Sequence, residues 1–323
     1  MSAPQAKIVF LDAATYGDVS LENFTRAWSC TIHQVTGHAE TIQRLAGHSI
    51  AVTNKVPFDK NILSAAEASD LRLIAVAATG TDIIDRAEAN RRGVQVCNVP
   101  GYATESVAQF TMAVILELCA RAGSYREAVR RGDWEKSPIF SLLNYPAVEL
   151  SGRKLGIVGH GNIGQTVARM AQGFGLEVLI AARPGASGGE GRISLDRLFS
   201  QADVISLHCP LTPETRNLIN PQTLALMKPT AFLINTARGA LVDEAALIDA
   251  LRRKRIAGAA LDVITQEPPP ADHPIIRAAK ELDNLIVTPH TAWSAREARE
   301  RLLREVEENI VAFLAGQDRN RVA

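Results

Sequence analysis

The chain has 323 residues, with 35 Lys and Arg balanced by 35 Asp and Glu, 46% hydrophobic residues and 22% charged ones. That composition describes a globular protein of about two domains and excludes a disordered or fibrous chain. Zero formal net charge also excludes a nucleic-acid binder acting through a broad basic surface, so any anion must be held locally.

The N-terminus, MSAPQAKIVFLDAATYGD, meets acidic residues too early to read as a secretory signal. No apolar run approaches the ~20 residues that span a bilayer. A cytoplasmic protein is expected, without membrane or nucleic-acid partners. Runs rich in Val and Ile alternate with longer amphipathic stretches from end to end, the pattern of strand-helix units feeding a parallel sheet. The class is α/β. Strands are expected at residues 7–11, 31–35, 49–53, 71–77 and 94–98, enough for one small doubly wound domain.

One long helix is then expected over residues 104–130, with Thr104 as N-cap, Glu105 in the first turn and apolar residues on nearly every face, as suits a helix buried between domains. Residues 132–150, with Trp134, Pro138, Phe140, Tyr145 and Pro146, have no period and read as an extended arm whose apolar side chains suit a subunit interface. A second series at 154–158, 176–181, 204–208, 231–235, 257–263 and 284–288 makes a larger sheet, interrupted by a Gly-rich turn at 185–191. Residues 295–314 form a helix with Glu and Arg three and four apart on its polar face. The cysteines, Cys30, Cys97, Cys119 and Cys209, are too scattered for a zinc site or a disulfide framework, and no metal is expected. Cys97 and Cys209 read as buried, inert thiols.

The second series opens with a glycine motif, Gly159, Gly161 and Gly164, directly after an apolar strand and before an amphipathic helix. In that context Gly159 permits the tight turn, Gly161 lets the backbone approach a pyrophosphate, and Gly164 lets helix and strand pack closely, while the helix N-terminus offers N–H groups to the phosphates. A dinucleotide is the expected ligand. The next strand ends in Ala181, Ala182, Arg183 and Pro184, where an NAD-preferring unit carries an acidic residue for the ribose hydroxyls. A neutral residue followed by Arg removes the charge that repels a 2′-phosphate and adds one that pairs with it, with Ser187 and Arg192 able to assist. NADPH is therefore expected over NADH.

Three further strand ends carry ionisable residues: Arg238, Glu267 and His290. Ligands of open α/β sheets gather beyond the carboxyl ends of strands, so these three are expected to converge. Reduction of a 2-keto acid needs a hydride, a cation to grip the carboxylate and polarise the carbonyl, and an acid to protonate the new alkoxide. Arg238 fills the second need and His290 the third, with Glu267 orienting His290 and keeping it protonated. His160 and His208 are read as structural or pyrophosphate-side residues.

Over essentially its whole length the chain resembles the D-isomer-specific 2-hydroxyacid dehydrogenases. The likeness is carried by Ala78 to Asp82, the glycine motif, His208 to Arg216, Asn235 to Gly239, Glu267 to Pro269 and Thr288 to His290. It implies two doubly wound parallel-sheet domains: a Rossmann-type dinucleotide-binding domain at 101–290 and a mobile, flavodoxin-like substrate domain at 1–100 plus 291–323. It also implies a homodimer across the nucleotide domains. Arg238, Glu267 and His290 match the family's catalytic trio, with His290 the proton donor. Thr79 and Gly80 match the loop that holds the substrate carboxylate, and Asn54 and Lys55 the far side of the same pocket. Thr104, Asn162, Ile163, Ala182, Arg183, Cys209, Pro210, Thr215, Thr236, Ala237 and Asp262 fall at cofactor positions, beside the glycines, Arg238 and His290. Ala182 departs from the family, many of whose members have Asp there.

Within the family the likeness is to bacterial glycerate dehydrogenases, also called hydroxypyruvate reductases, through Thr53 to Val56, Gly101 to Thr104, Gly132 to Trp134 and Pro289 to Trp293. Trp293 is placed to wall the pocket above a short substrate, favouring hydroxypyruvate or glyoxylate. A broader D-lactate-type reductase and a dinucleotide-sensing interaction protein on the same fold are the alternative readings.

Overall fold

A computed structural model describes residues 6–189 and 191–323. The chain divides into two compact units, one comprising residues up to Ala103 together with Ser294–Ala323, the other Thr104–Trp293. Each divide lies three residues beyond the expected one, and Trp293 goes with the second unit.

The first unit holds a five-stranded parallel sheet: β1 (Lys7–Phe10), β2 (Ser29–Ile32), β3 (Ile50–Thr53), β4 (Leu73–Val76) and β5 (Gln95–Cys97), in the order β2-β1-β3-β4-β5. This is the flavodoxin-like order, with its reversal between β1 and β3. β3 and β4 are buried on both faces, as their unbroken apolar runs require. β2 starts two residues before its expected position because it is an exposed edge strand, and Val35, read as its end, is 71% exposed. Helix Arg296–Leu314 belongs to this unit, and its buried Asn309 donates to the Asn98 carbonyl at 2.9 Å. Beyond it the chain pairs with β5, Val96 N–H donating to the Ala323 carbonyl at 3.0 Å.

The second unit holds eight strands: β6 (Lys154–Val158), β7 (Glu177–Ala181), β8 (Gly188–Gly189), β9 (Arg192–Ile193), β10 (Val204–Leu207), β11 (Phe232–Asn235), β12 (Gly258–Leu261) and β13 (Leu285–Val287). Their order is β13-β12-β11-β10-β6-β7-β9-β8, all parallel except β8, which makes this the doubly wound nucleotide-binding arrangement. The Gly-rich stretch read as a turn is thus a small hairpin that extends the sheet. Its strands are two residues each, too short for any period to show. One face of the sheet is packed by Leu198, Phe199, Leu247, Leu251 and Ile275; the other by Met112, Ile115, Leu118, Val167 and Ala171.

The single helix expected at 104–130 is two, Thr104–Ala120 and Ala122–Arg130, broken at Arg121, whose φ of 59° is left-handed. The break is held by Glu117, whose carboxylate accepts the Gly123 N–H at 3.0 Å, and by Arg121, which donates to the Asp283 carbonyl at 2.8 Å. Thr104 opens the first of these helices. Cys209 lies past the end of β10 and is only partly buried, whereas Cys97 is buried within β5. Burial pushes the Cys97 thiol up to about 12 and the Cys209 thiol up to about 11. Among the described residues no helix is long and apolar enough to cross a membrane.

Candidate active site

The glycine motif joins β6 to helix Asn162–Gln172 at the middle of the second sheet, where the strand order reverses. Gly159 has φ 97°, and a Cβ there would lie 2.5 Å from the His208 carbonyl carbon and the Cys209 nitrogen. A Cβ on Gly164 would lie 2.1 Å from the Gly159 oxygen, so helix and loop meet backbone to backbone. Gly161 precedes the helix with open space where its side chain would be. Such a turn, ending at the first N–H groups of an 11-residue helix, suits a pyrophosphate.

Beside it runs a groove of about 1060 Å³ lined by Gly159, His160, Ala182, Arg183, Arg192, Cys209, Pro210 and Thr215, among others. Ala182 is buried where β7 ends and donates its N–H to Ile193 at 2.7 Å, while Arg183 and Arg192 are exposed at the rim. Ser187 is not among the lining residues. The Thr215 hydroxyl donates to the Pro210 carbonyl at 2.8 Å and accepts the Thr212 N–H at 2.7 Å, so it shapes the groove wall. His208 follows β10 with Nε2 2.9 Å from the Ser206 hydroxyl, and burial pushes its imidazole down to about 4, keeping it neutral.

Arg238, Glu267 and His290 follow β11, β12 and β13 in turn. His290 Nδ1 and Glu267 Oε2 are 2.6 Å apart, and Glu267 Oε1 accepts the Ile264 N–H at 2.9 Å, so both carboxylate oxygens are engaged. The pair lines a cavity of about 430 Å³ together with Ile264, Pro268, Ile276, Lys280 and Val287. Arg238 follows an Asn-centred turn, in which Asn235 Nδ2 donates to the Arg238 carbonyl at 2.9 Å and Oδ1 accepts the Ala237 N–H at 3.0 Å. The neighbouring Thr236 hydroxyl is 3.1 Å from that of Thr111 on helix Thr104–Ala120.

In the first unit, Asn54 and Lys55 follow β3, and Thr79 and Gly80 follow β4. The Thr79 hydroxyl donates to the Val99 carbonyl at 2.8 Å and its own carbonyl accepts Asn98 Nδ2 at 2.7 Å, which fixes the loop.

Residues 112–292 match the family model for the D-isomer specific 2-hydroxyacid dehydrogenase NAD binding domain. The chain belongs to that family. It is 41% identical over 315 residues to a glycerate dehydrogenase of Methylorubrum extorquens, covering 97% of this chain and 98% of the relative. It is 36% identical over 323 residues to a hydroxypyruvate reductase of Blautia hydrogenotrophica, with the same coverage of 97% and 98%. Among solved structures it superposes on an acyclic imino acid reductase bound to NADPH and D-Arg, with a TM-score of 0.84 and 29% identity, covering 98% of this chain and all of the other. The chain is accordingly a nicotinamide-dinucleotide oxidoreductase with α/β architecture.

Several residues of this dehydrogenase do work that motif reading did not assign. Asp262, read as a cofactor contact, is 3% exposed and spends its carboxylate on the loop carrying His290: it accepts from the Thr288 hydroxyl at 2.7 Å and from the Thr291 and Ala292 N–H groups at 2.9 Å. Gly239 touches the segment leading to Glu267, and a Cβ there would lie 2.1 Å from the Ile264 carbonyl carbon and oxygen. Glu244 accepts the Thr265 N–H at 2.7 Å in the same segment. The only sequence signal for these residues is their nearness to the strand ends. Their partners are distant in the chain.

Proposed function

We propose that this dehydrogenase reduces small 2-keto acids, hydroxypyruvate and glyoxylate first among them, to D-2-hydroxy acids. The observation that carries the reading is the 2.6 Å contact between Glu267 and His290, in the same unit as Arg238 and the dinucleotide groove. The relatives named glycerate dehydrogenase and hydroxypyruvate reductase support the choice of substrate.

The nicotinamide, when bound, supplies the hydride that reaches the carbonyl carbon. Arg238 draws the substrate carboxylate and polarises the carbonyl oxygen. His290, with Nδ1 held by Glu267, presents Nε2 and gives its proton to the oxygen as negative charge grows there; Glu267 fixes the orientation of the ring. Thr79 and Gly80 contribute N–H groups to the carboxylate, Asn54 and Lys55 contribute polar contacts to the substrate, and Trp293 limits its length. Gly161, Asn162, Ile163 and Gly164 hold the pyrophosphate. Thr104, Cys209, Pro210, Thr215, Thr236, Ala237 and Asp262 are assigned to the rest of the cofactor.

NADPH is the proposed coenzyme, because Ala182 brings no negative charge to the end of β7 while Arg183 and Arg192 both line the groove there. A homodimer is also proposed, through the segment in which Phe140 is 91% and Leu143 75% exposed.

Steady-state oxidation of NADPH and NADH with hydroxypyruvate, glyoxylate, pyruvate and phenylpyruvate tests the reading. Turnover is expected with the first two acids and NADPH. Cofactor binding without turnover of any keto acid would sink it in favour of a sensing role.

A further inference from the structure

Between β12 and helix Pro274–Glu281 the chain runs through residues 262–273 without helix or strand, and Glu267 sits in the middle of this stretch. Residues 265–272 are all exposed, so burial does not fix them. Residues 268–270 are three prolines, whose rings lock φ and stiffen the chain directly after Glu267. A stiff, exposed loop is placed by what holds its ends.

One side chain reaches both ends. Glu244 opens helix Glu244–Arg252, and its Oε1 accepts the Thr265 N–H at 2.7 Å, two residues before Glu267. Its Oε2 lies 3.7 Å from Nε2 of His273, six residues after Glu267 and directly before helix Pro274–Glu281. The Glu244 and His273 side chains are 12% and 8% exposed. His273 Nδ1 is buried without a hydrogen-bond partner among the described residues, so the Glu244 carboxylate is the polar group its ring faces. The His273 main chain closes the same end of the loop, its N–H donating to the Pro270 carbonyl at 3.0 Å and its carbonyl accepting the Arg277 N–H at 3.1 Å. Within the loop, Glu267 Oε1 accepts the N–H of Ile264, the neighbour of the residue that Glu244 holds, while Oε2 is 2.6 Å from His290 Nδ1. The loop is thus held by one Glu–His pair and presents another. Neither Glu244 nor His273 lines the dinucleotide groove or the cavity at Glu267 and His290, so their part in the reaction is indirect.

We propose that Glu244 is a positioning residue for the reaction: together with His273 it holds the 262–273 loop so that the Glu267 carboxylate meets the His290 ring. The inference rests on the reading of Glu267 and His290 as the proton-donating pair of a 2-keto acid reductase. Loss of the Thr265 hydrogen bond frees the segment beside Ile264, and a displacement of about 1 Å at a catalytic group costs on the order of a hundredfold in rate.

The test is a double-mutant cycle in steady-state kinetics with hydroxypyruvate and saturating reduced coenzyme, comparing wild type, Glu244→Ala, Glu267→Ala and the double variant, with coenzyme affinity from fluorescence titration and Tm from calorimetry. Glu244→Ala should lower kcat at least about tenfold, while KM and the coenzyme Kd change less than about twofold. On the Glu267→Ala background no carboxylate is left to place, so the same change should lower kcat less than about twofold. Glu244→Gln keeps an acceptor for the Thr265 N–H and should recover most of the lost kcat. A residue with a purely structural role would lower Tm and cost the same factor in both backgrounds. That result, or a Gln variant as slow as the Ala variant, overturns the assignment. Should Glu244→Ala fail to fold, His273→Gln takes its place in the cycle, since it spares the Thr265 hydrogen bond and removes the ring that faces Oε2. A drop in kcat of about threefold is then expected on the wild-type background and not on Glu267→Ala, and equal drops or none overturn the proposal. A wild type that reduces neither hydroxypyruvate nor glyoxylate refutes the reductase reading itself; an active wild type whose variants are additive refutes only the roles of Glu244 and His273.

Discussion

The main-chain N–H of His290 donates to the carbonyl of Asp262 at 2.8 Å, while the carboxylate of the same aspartate takes the N–H groups of the next two residues. His290 has φ 54°, a left-handed conformation that a non-glycine residue holds only when its surroundings over-determine it. Asp262→Ala removes those carboxylate acceptors and should destabilise the protein by about 2–4 kcal/mol. It should also lower kcat at least tenfold, on the order of what a misplaced catalytic group costs. Chemical denaturation and steady-state kinetics check this. A variant with normal kcat would show that Asp262 does not position the histidine.

The three charged strand-end residues are expected to separate kinetically. His290→Gln keeps a polar group of similar reach but no transferable proton, so kcat should fall by about 10²–10⁴ with NADPH affinity unchanged. Arg238→Ala should raise KM and lower kcat together, because the role proposed for its cation covers both the bound acid and the developing alkoxide. Loss of NADPH binding in both variants, measured by fluorescence titration, would point to a folding defect and leave neither role supported.

The proposed preference for NADPH should weaken with one carboxylate. Ala182 is buried at the end of β7 on the wall of the groove, so Ala182→Asp places a negative charge among the groove residues that include Arg183. Preference for NADPH over NADH, read as the ratio of kcat/KM, should drop at least about tenfold, a change of about 1.4 kcal/mol. An unchanged ratio would mean that the 2′-phosphate does not reach this strand end.

Gly239→Ala should be severe although its φ is not in the left-handed region. The new methyl would meet the Ile264 carbonyl at 2.1 Å, and this is backbone that cannot swing aside. The Ile264 N–H is also what Glu267 Oε1 holds, so the push should reach the His290 pair. A lower Tm together with reduced kcat is expected. A lower Tm alone would confine the contact to a structural role.

Acid should weaken the fold through His208. Its imidazole is held at about 4 against an ordinary 6.5, so below 6.5 the unfolded chain binds a proton that the native state refuses. Stability from this residue is fully present above 6.5 and is lost as pH falls toward 4, by up to about 3 kcal/mol. Denaturation at pH 7 and pH 4.5 should therefore differ less for His208→Gln than for wild type. Identical pH dependence in the two proteins would show that His208 carries none of the effect.

Much of the architecture is legible in local pattern. The buried strands β3, β4, β6, β10 and β11 stand where unbroken apolar runs place them, since a strand covered on both faces needs a continuous run. Where burial is partial the signal weakens. β2 slid two residues on an exposed edge, the hairpin of β8 and β9 hid in glycines, and the break at Arg121 lay inside a segment apolar enough to pass for one helix.

By itself the sequence determined the class, the dinucleotide loop and the identity of the charged groups at the strand ends, because each depends on residues that are neighbours along the chain. Only the tertiary structure decided that Glu267 and His290, 23 residues apart, meet at 2.6 Å, that Gly239 must yield its side chain to the Ile264 carbonyl, and that Asp12 clamps a loop 42 residues away. Those contacts are set by strand order and register. Two loops become neighbours when their strands do, and nothing in either loop's own residues records which strand will lie beside it.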